Sequence, residues 1–364
     1  MNDRLLVNTV HGPYRGYQRS GADVWKGIRF ARAQRWRRAT PPEPHTEVVD
    51  AAAFGPISPQ ASIPGMDTGT PSSEDCLFLN VWRPTVVTPG TVLPVMVWIH
   101  GGAYVLGAGS QNLYDGTRLA VDGQVVIVTV NYRLGALGFA DLTAFNEPGE
   151  HGFESNAAMS DVLAALTWVR ENIAGFGGDS GRITVFGESA GAGIVTTLLT
   201  MPAAKGLFHR AIAESSPASS VYSNTRAAKV AGNLLSVLDI GVRDVAQLHD
   251  IDVKQLVRAT MKVYGQVPEE TPGTLAFAPV IDGDLVPEHP MDAFRAGRSL
   301  SVPLLIGTNK DEASLFALLR PPLMPVKLPG IKKMFDTILA EDPTAAVPTR
   351  ESLSAAYAGT STKV

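Results

Sequence analysis

The chain has 364 residues, 45% of them hydrophobic, with 31 Lys and Arg against 35 Asp and Glu for a formal net charge of −4. That is enough apolar sequence to bury a large core, while the near balance of charge and the lack of any basic run give no footing for nucleic acid or an anionic membrane surface. The opening stretch MNDRLLVNTVHGPYRG holds no apolar leader-like segment, no run of 18 or more apolar residues follows, and a lone cysteine, Cys76, leaves no partner for an intrachain disulfide. Cys76 is expected to be a buried structural thiol in a reducing cytoplasm, because no paired histidine or helix start surrounds it. No Cys/His cluster has metal-ligand spacing, and no cofactor motif occurs.

In chain order, residues 5–14 and 24–30 alternate apolar and polar side chains around glycine-containing turns, which predicts an opening antiparallel hairpin at one edge of a sheet. Residues 33–73 are rich in Pro, Gly, Ser and Thr and read as a long surface loop. The segment SEDCLFLNVW (73–82) follows, an alternating strand preceded by Glu74 and Asp75. Carboxylates before a strand more often fasten a loop end through ion pairs than perform chemistry, and that is the expectation here.

Residues 95–99 and 125–130 are continuous apolar runs, typical of neighbouring strands in a parallel sheet buried on both faces. Between them lies His100-Gly101-Gly102-Ala103-Tyr104. Glycines at a strand end leave backbone N–H groups unshielded in a cleft, as a tetrahedral oxyanion requires. A glycine loop of this kind accompanies the serine elbow of lipases and esterases. His100 is expected to be a buried residue that shapes the loop rather than a catalytic base.

The segment NYRLG (131–135) reads as a strand leading into a turn, and residues 161–176 have helical spacing up to Gly177-Gly178. The chain then reaches RITVFGESAGAGIVTTLLT (182–200), in which a short apolar strand turns into a helix at Gly187-Glu188-Ser189-Ala190-Gly191. Glycine two places either side of a serine marks a nucleophile elbow, a bend too sharp for side chains at those positions. The serine hydroxyl then projects beside a helix N-terminus, whose partial positive charge favours a developing alkoxide. The residues assign Gly102 and Ala103 N–H, with Ala190 N–H after the nucleophile, to an oxyanion hole.

Beyond the elbow, residues 210–214 read as a strand, 225–263 as helical and 277–284 as a loop or short strand. The apolar run 302–306 ends in Gly307-Thr308-Asn309-Lys310-Asp311-Glu312, which places a carboxylate at the carboxyl end of a strand, where an acid that orients a histidine belongs. The order of strands and helices implies a doubly wound α/β sheet with its site at the strands' carboxyl ends.

SEDCLFLNVW, WIHGGAY, NYRLGALGF, FGGDSGRITVFGESAGA, FAPVIDG and GTNKDE, in that order, resemble the type-B carboxylesterase family, closest to its bacterial p-nitrobenzyl esterase-like members, over about residues 7–357. The resemblance implies an α/β-hydrolase fold, with a mostly parallel central sheet and an N-terminal antiparallel hairpin, forming one domain over 1–364. It further implies a small-molecule ester substrate, Ser189 as nucleophile, Glu312 as triad acid, and Gly101, Gly102, Ala103 and Ala190 as the oxyanion hole. Glu74-Asp75 resembles the family's structural ion-pair signature. Ile28-Arg29-Phe30, Ser180 and an unpartnered Cys76 depart from the family's usual pattern.

A further departure concerns the histidine, which such enzymes place beyond the acid. All seven histidines (His11, His45, His100, His151, His209, His249 and His289) precede Glu312; after it come residues 324–339, a helix-like 351–357 and the tail AGTSTKV. The reading is therefore a C-terminally truncated member without its last strand and final helices, with an impaired triad, an open edge on the strand ending at Gly307 and a tendency to aggregate. The competing reading is a non-catalytic, cholinesterase-like binding or adhesion module, against which the retained serine, glycines and acid weigh. Oligomeric state carries no signal in the sequence.

Overall fold

Residues 3–62, 69–147, 152–312, 314, 328–341, 343, 345–349, 351, 352 and 355 are described by the computed structural model. His151, residues 63–68 of the long loop, 324–327, most of the helix-like 351–357 and the tail lie outside the described residues.

Apolar, β-branched runs form eleven strands among the described residues: β1 (Leu6–Thr9), β2 (Gly12–Arg15), β3 (Tyr17–Arg19), β4 (Ala22–Arg29), β5 (Val49–Asp50), β6 (Phe78–Pro84), β7 (Leu93–Ile99), β8 (Val126–Val130), β9 (Gly178–Glu188), β10 (Arg210–Glu214) and β11 (Leu304–Gly307). Eight of them make one sheet in the order β11-β10-β9-β7-β8-β6-β4-β3. The strands β8, β7, β9, β10 and β11 run parallel, and β6, β4 and β3 add antiparallel pairings at one side.

The single opening hairpin expected from the sequence is in fact two. The turn at Val10-His11 closes β1 on β2, and these join β5 in a separate three-stranded sheet. The turn at Ser20-Gly21, with φ of 50° and 81°, closes β3 on β4 at the edge of the main sheet. Positive φ at both Ser20 and Gly21 matches the twist of β3 and β4, whereas Val10 and His11 turn the chain without it.

Four helices serve the site: α1 (Thr117–Gly123), α2 (Gly135–Phe139), α3 (Ala157–Asn172) and α4 (Ala190–Leu198). The third begins four residues ahead of the sequence reading, at a left-handed Asn156, and after a 3-10 turn ends at Gly177, whose φ of 80° is the left-handed stop that glycine allows. Under α3 and α4 one face of the parallel strands is dry: Val95, Val97, Val128, Ile183, Val185 and Ala213 are all fully buried. Each buried valine or isoleucine among them contributes roughly 1.5–3 kcal/mol. The other face is uneven, since β7 alternates buried with half-buried residues and β11 is exposed throughout. Among the described residues, β11 stands at the end of the sheet order.

The chain divides into two compact units, Met1–Met261 with Phe277–Thr308, and Lys262–Ala276 with Asn309–Val364. Both sheets belong to the first. In the second, the helix over Leu328–Glu341 sends Lys333 Nζ to the Glu269 carbonyl at 2.7 Å. Among the described residues no helix is long and apolar enough to cross a membrane.

Candidate active site

Strand β9 ends at Glu188 and α4 begins at Ala190, leaving Ser189 alone in the turn with φ 54° and ψ −124°. That conformation is costly for a residue with a β-carbon, of order 1–3 kcal/mol, and it is held by its surroundings. Ser189 N–H donates to the Glu214 carbonyl at 2.9 Å, and Gly193 N–H donates to the Ser189 carbonyl at 2.9 Å. The glycines are dictated by close backbone. A β-carbon on Gly187 would stand 2.7 Å from the Gly191 carbonyl carbon and 2.7 Å from the Ile99 oxygen, and one on Gly191 only 2.1 Å from that same oxygen. The crowding comes from β7 as much as from the bend.

Sheet register brings the glycine loop to the serine. In the parallel pair β7 and β9, Ile99 faces Gly187, so Gly101, two residues on, comes level with Ser189. A β-carbon on Gly101 would lie 3.3 Å from Ser189 Cβ and 2.8 Å from both the backbone oxygen and a carboxylate oxygen of Glu188. Gly102, Ala103 and Tyr104 then all have positive φ, at 117°, 53° and 63°. Val105 and Leu106 N–H close the loop onto the Gly102 carbonyl at 3.1 and 3.0 Å. Among the described residues, no hydrogen bond takes the N–H of Gly102, Ala103 or Ala190. Backbone donors at a loop and at the first turn of a helix are thus left for something else.

His100 does what the sequence reading assigns to it. Its ring is 1% exposed, stacks on Tyr132 at 4.4 Å and donates from Nδ1 to the Gly101 carbonyl at 2.8 Å, while Tyr132 Oη donates to the His100 carbonyl at 2.7 Å. Burial pushes its pKa down to about 4, so the ring is neutral at ordinary pH. Three other described histidines are engaged elsewhere: His209 Nδ1 accepts from Ile183 N–H, His289 Nδ1 caps the helix Pro290–Arg295, and His249 stacks on Phe153. None of these hydrogen bonds reaches Ser189. A cleft of about 330 Å³ opens beside the loop, lined by Gln60, Ser72, Gly101, Gly102, Tyr114 and Glu188 among others.

Of the residues singled out in the sequence, Gly101, Gly102, Ala103, Ser189 and Ala190 gather at the carboxyl ends of β7 and β9. Glu312 belongs to the second compact unit, where its carboxylate accepts from Asn309 N–H and Asn309 Nδ2, each at 3.3 Å. Glu74 and Asp75 are fasteners, as expected. Glu74 takes a two-pronged bond from Arg35 at 2.5 and 2.7 Å, and the same guanidinium reaches the carbonyls of Leu248 and Ile251. Asp75 pairs with Arg29, whose hydrogen bonds hold its carboxyl below the usual range. Cys76 is fully buried, and burial raises its thiol pKa to about 12. Sequence reasoning passed over Glu188. The one signal for it was its place at a strand end directly before the serine, level with Glu214 of β10.

A serine on a strand-to-helix elbow, beside a glycine loop at the carboxyl ends of a mostly parallel sheet, defines an α/β-hydrolase. Residues 3–335 match the carboxylesterase family, and the chain belongs to it. It is 44% identical over 319 residues to the para-nitrobenzyl esterase of Bacillus subtilis (strain 168), a match covering 85% of this chain and 63% of that one. It is 35% identical over 321 residues to the fumonisin B1 esterase of Sphingopyxis macrogoltabida, covering 86% and 57%. Among solved structures, a thermophilic PNB esterase superposes with a TM-score of 0.80 at 39% identity, over 97% of this chain and 68% of that one. The chain therefore spans roughly three-fifths of the length of the curated relatives it matches.

Proposed function

We propose that the protein hydrolyses carboxylic esters of small molecules, with Ser189 as nucleophile. In this reading Ser189 Oγ attacks the ester carbonyl carbon, and the oxyanion that forms accepts hydrogen bonds from the N–H groups of Gly102, Ala103 and Ala190. Collapse expels the alcohol, which carries off the proton lost by the serine. Water then adds to the acyl-enzyme, releases the acid and returns the serine hydroxyl. The observation that supports this most is the placement of the Gly101 backbone against Ser189, with no hydrogen bond taking the neighbouring N–H groups among the described residues. The esterase names of relatives at 44% and 35% identity agree with it.

Glu312 is the triad acid in this proposal, and the proton relay is the weak step. All seven histidines of the 364 residues precede Glu312, and the reading gives none of them the role of base. In this reading hydrolysis is tied to Ser189, because attack and acyl transfer both pass through its hydroxyl. Hydrolysis of p-nitrophenyl acetate by the purified protein and by Ser189→Ala tests the assignment. Equal rates would remove Ser189 as nucleophile.

A further inference from the structure

The glycine loop after β7 is held in a shape its residues do not favour. Ala103 and Tyr104, with φ of 53° and 63°, adopt values that a residue with a β-carbon keeps only where its surroundings impose them, and Gly107 closes the loop at φ 108°. Part of the restraint is nearby: Val105 and Leu106 N–H return to the Gly102 carbonyl, and the Tyr104 carbonyl accepts from Gly135 N–H at 2.7 Å. The far end is held from a distant segment. Gln60 Oε1 accepts from Gly107 N–H at 2.8 Å and Gln60 Nε2 donates to the Gly107 carbonyl at 2.8 Å, so one side-chain amide engages both polar groups of one residue.

Gly107 in turn backs the start of the loop. A β-carbon on it would stand 2.4 Å from His100 Nδ1 and 2.6 Å from the Gly101 carbonyl oxygen, and Gly101 is the residue whose own β-carbon site lies 3.3 Å from Ser189 Cβ. Close contacts thus run from Gln60 through Gly107 and Gly101 to Ser189. Gln60 stands on a fixed base. Its Nε2 also donates to the Ser58 carbonyl at 3.1 Å, Ser58 Oγ accepts from Leu134 N–H at 3.0 Å, and Asn131, directly after β8, donates from Nδ2 to the Pro56 carbonyl at 3.0 Å. With both Nε2 hydrogens and Oε1 engaged, the amide has one orientation. Resting on the hydrolytic reading above, we propose that Gln60 is a positioning residue of the oxyanion hole, acting through Gly107 to hold the Gly102 and Ala103 N–H groups where the negative oxygen forms. Such donors are effective because they are fixed before the reaction. A displaced donor weakens a bond made in the transition state, so its loss falls on kcat rather than on KM.

The test compares Gln60→Met, which keeps the side chain's length without its amide, with Asn146→Leu. Asn146 makes the same paired bonds with the N–H and carbonyl of Phe153, both at 2.9 Å, so its loss removes an equal restraint without touching Gly107. Hydrolysis of p-nitrophenyl acetate is measured after subtraction of the Ser189→Ala rate, on variants that circular dichroism shows to be folded. Gln60→Met is expected to lower the Ser189-dependent kcat at least about 10-fold with KM moving less than about 3-fold, while Asn146→Leu lowers the urea midpoint and keeps both constants within about 2-fold. Hydrogen exchange in peptides covering residues 101–107 should quicken in Gln60→Met and not in Asn146→Leu. Gln60→Glu accepts from Gly107 N–H but gives nothing to its carbonyl; it is expected to lose kcat in the same direction and serves where the Met variant does not fold. A Ser189-dependent kcat that survives these changes, or falls no further than in Asn146→Leu, would overturn the inference and leave Ser189 as nucleophile. Equal rates for the native protein and Ser189→Ala would remove the hydrolytic reading and this inference together.

Discussion

The carbonyl oxygen of Ile99 sits 2.1 Å from the point where a β-carbon on Gly191 would stand. No real β-carbon tolerates that distance, and the obstacle is backbone of a central strand, which cannot swing aside as a side chain could. Gly191→Ala must therefore push α4 away from β7 and carry Ser189 with it. Overpacking of this kind costs about 1–3 kcal/mol and more where backbone is displaced. The expected outcome is a lower urea midpoint together with loss of Ser189-dependent hydrolysis. Gly232→Ala, in the helix Asn224–Leu238 with nothing within 4 Å of its β-carbon site, is the control and should gain about 0.5–1 kcal/mol.

Ser189 itself stores strain. At φ 54° and ψ −124° it occupies a region in which glycine is at ease and every residue with a β-carbon is not. Ser189→Gly is expected to raise the unfolding free energy by about 1 kcal/mol or more while abolishing the nucleophile, whereas Ser189→Ala abolishes it with little gain. Denaturant titration of the three proteins separates these outcomes, and equal stability of the Gly and Ala variants would show that the bend carries no strain.

The elbow, the glycine loop and the carboxylate fasteners were legible in the sequence because their chemistry is local. Gly187 and Gly191 flank one residue, Gly101 follows one strand, and Glu74 precedes another. What escaped depends on partners far along the chain. The split into two hairpins is decided by the turns at Val10-His11 and Ser20-Gly21, which apolar alternation does not register. The first turn of α3, Ala157 to Ser160, is made of residues without helical period and is set by the left-handed Asn156 before it. The carboxylate of Glu188 acquires its neighbour Gly101 only through the register of β7 on β9. The place of β11 beside β10 likewise appears only when strand pairing is known, since the apolar run 302–306 looks like any buried strand.

His100 makes stability depend on pH. Its folded pKa of about 4 lies below the ordinary histidine value, because burial disfavours the charged ring. In the unfolded chain the ring takes up a proton as pH falls through about 6.5, and the folded ring does not until about 4, so between these values the unfolded state binds more protons and stability falls with falling pH. Below about 4 the loss levels off, at an order of magnitude of 3 kcal/mol. Urea unfolding at intervals from pH 7 to 4, for the native protein and His100→Asn, should show a steeper decline for the native protein. Parallel curves would mean that His100 titrates alike in both states.

The pair of Arg133 and Asp161 is sealed from water, with side chains 4% and 0% exposed and contacts of 2.6 and 2.8 Å. Asp161 also accepts the Arg133 N–H at 3.0 Å, and the guanidinium reaches the Gln34 and Ala157 carbonyls. This ties the segment after β8 to the start of α3. Asp161→Asn would leave a buried guanidinium without its counter-charge, and about 3–5 kcal/mol of stability should go with it. The double variant Arg133→Met, Asp161→Leu removes both charges and is expected to recover part of that loss. A single variant as stable as the native protein in guanidinium titration would show that water reaches the pair.

Cys76 gives the simplest readout of folding. The thiol is fully buried and its pKa of about 12 leaves almost no thiolate at pH 8, where thiolate is the reactive form. In the unfolded chain the value returns to about 8.5 and a substantial fraction ionises. At pH 8 Ellman's reagent should therefore label the single thiol on the order of 10³-fold faster in 6 M guanidinium than in native buffer. Rapid labelling of the native protein would mean that the segment carrying Glu74 and Asp75 opens, and Arg35→Lys, which loses one prong of the bond to Glu74, should speed it further.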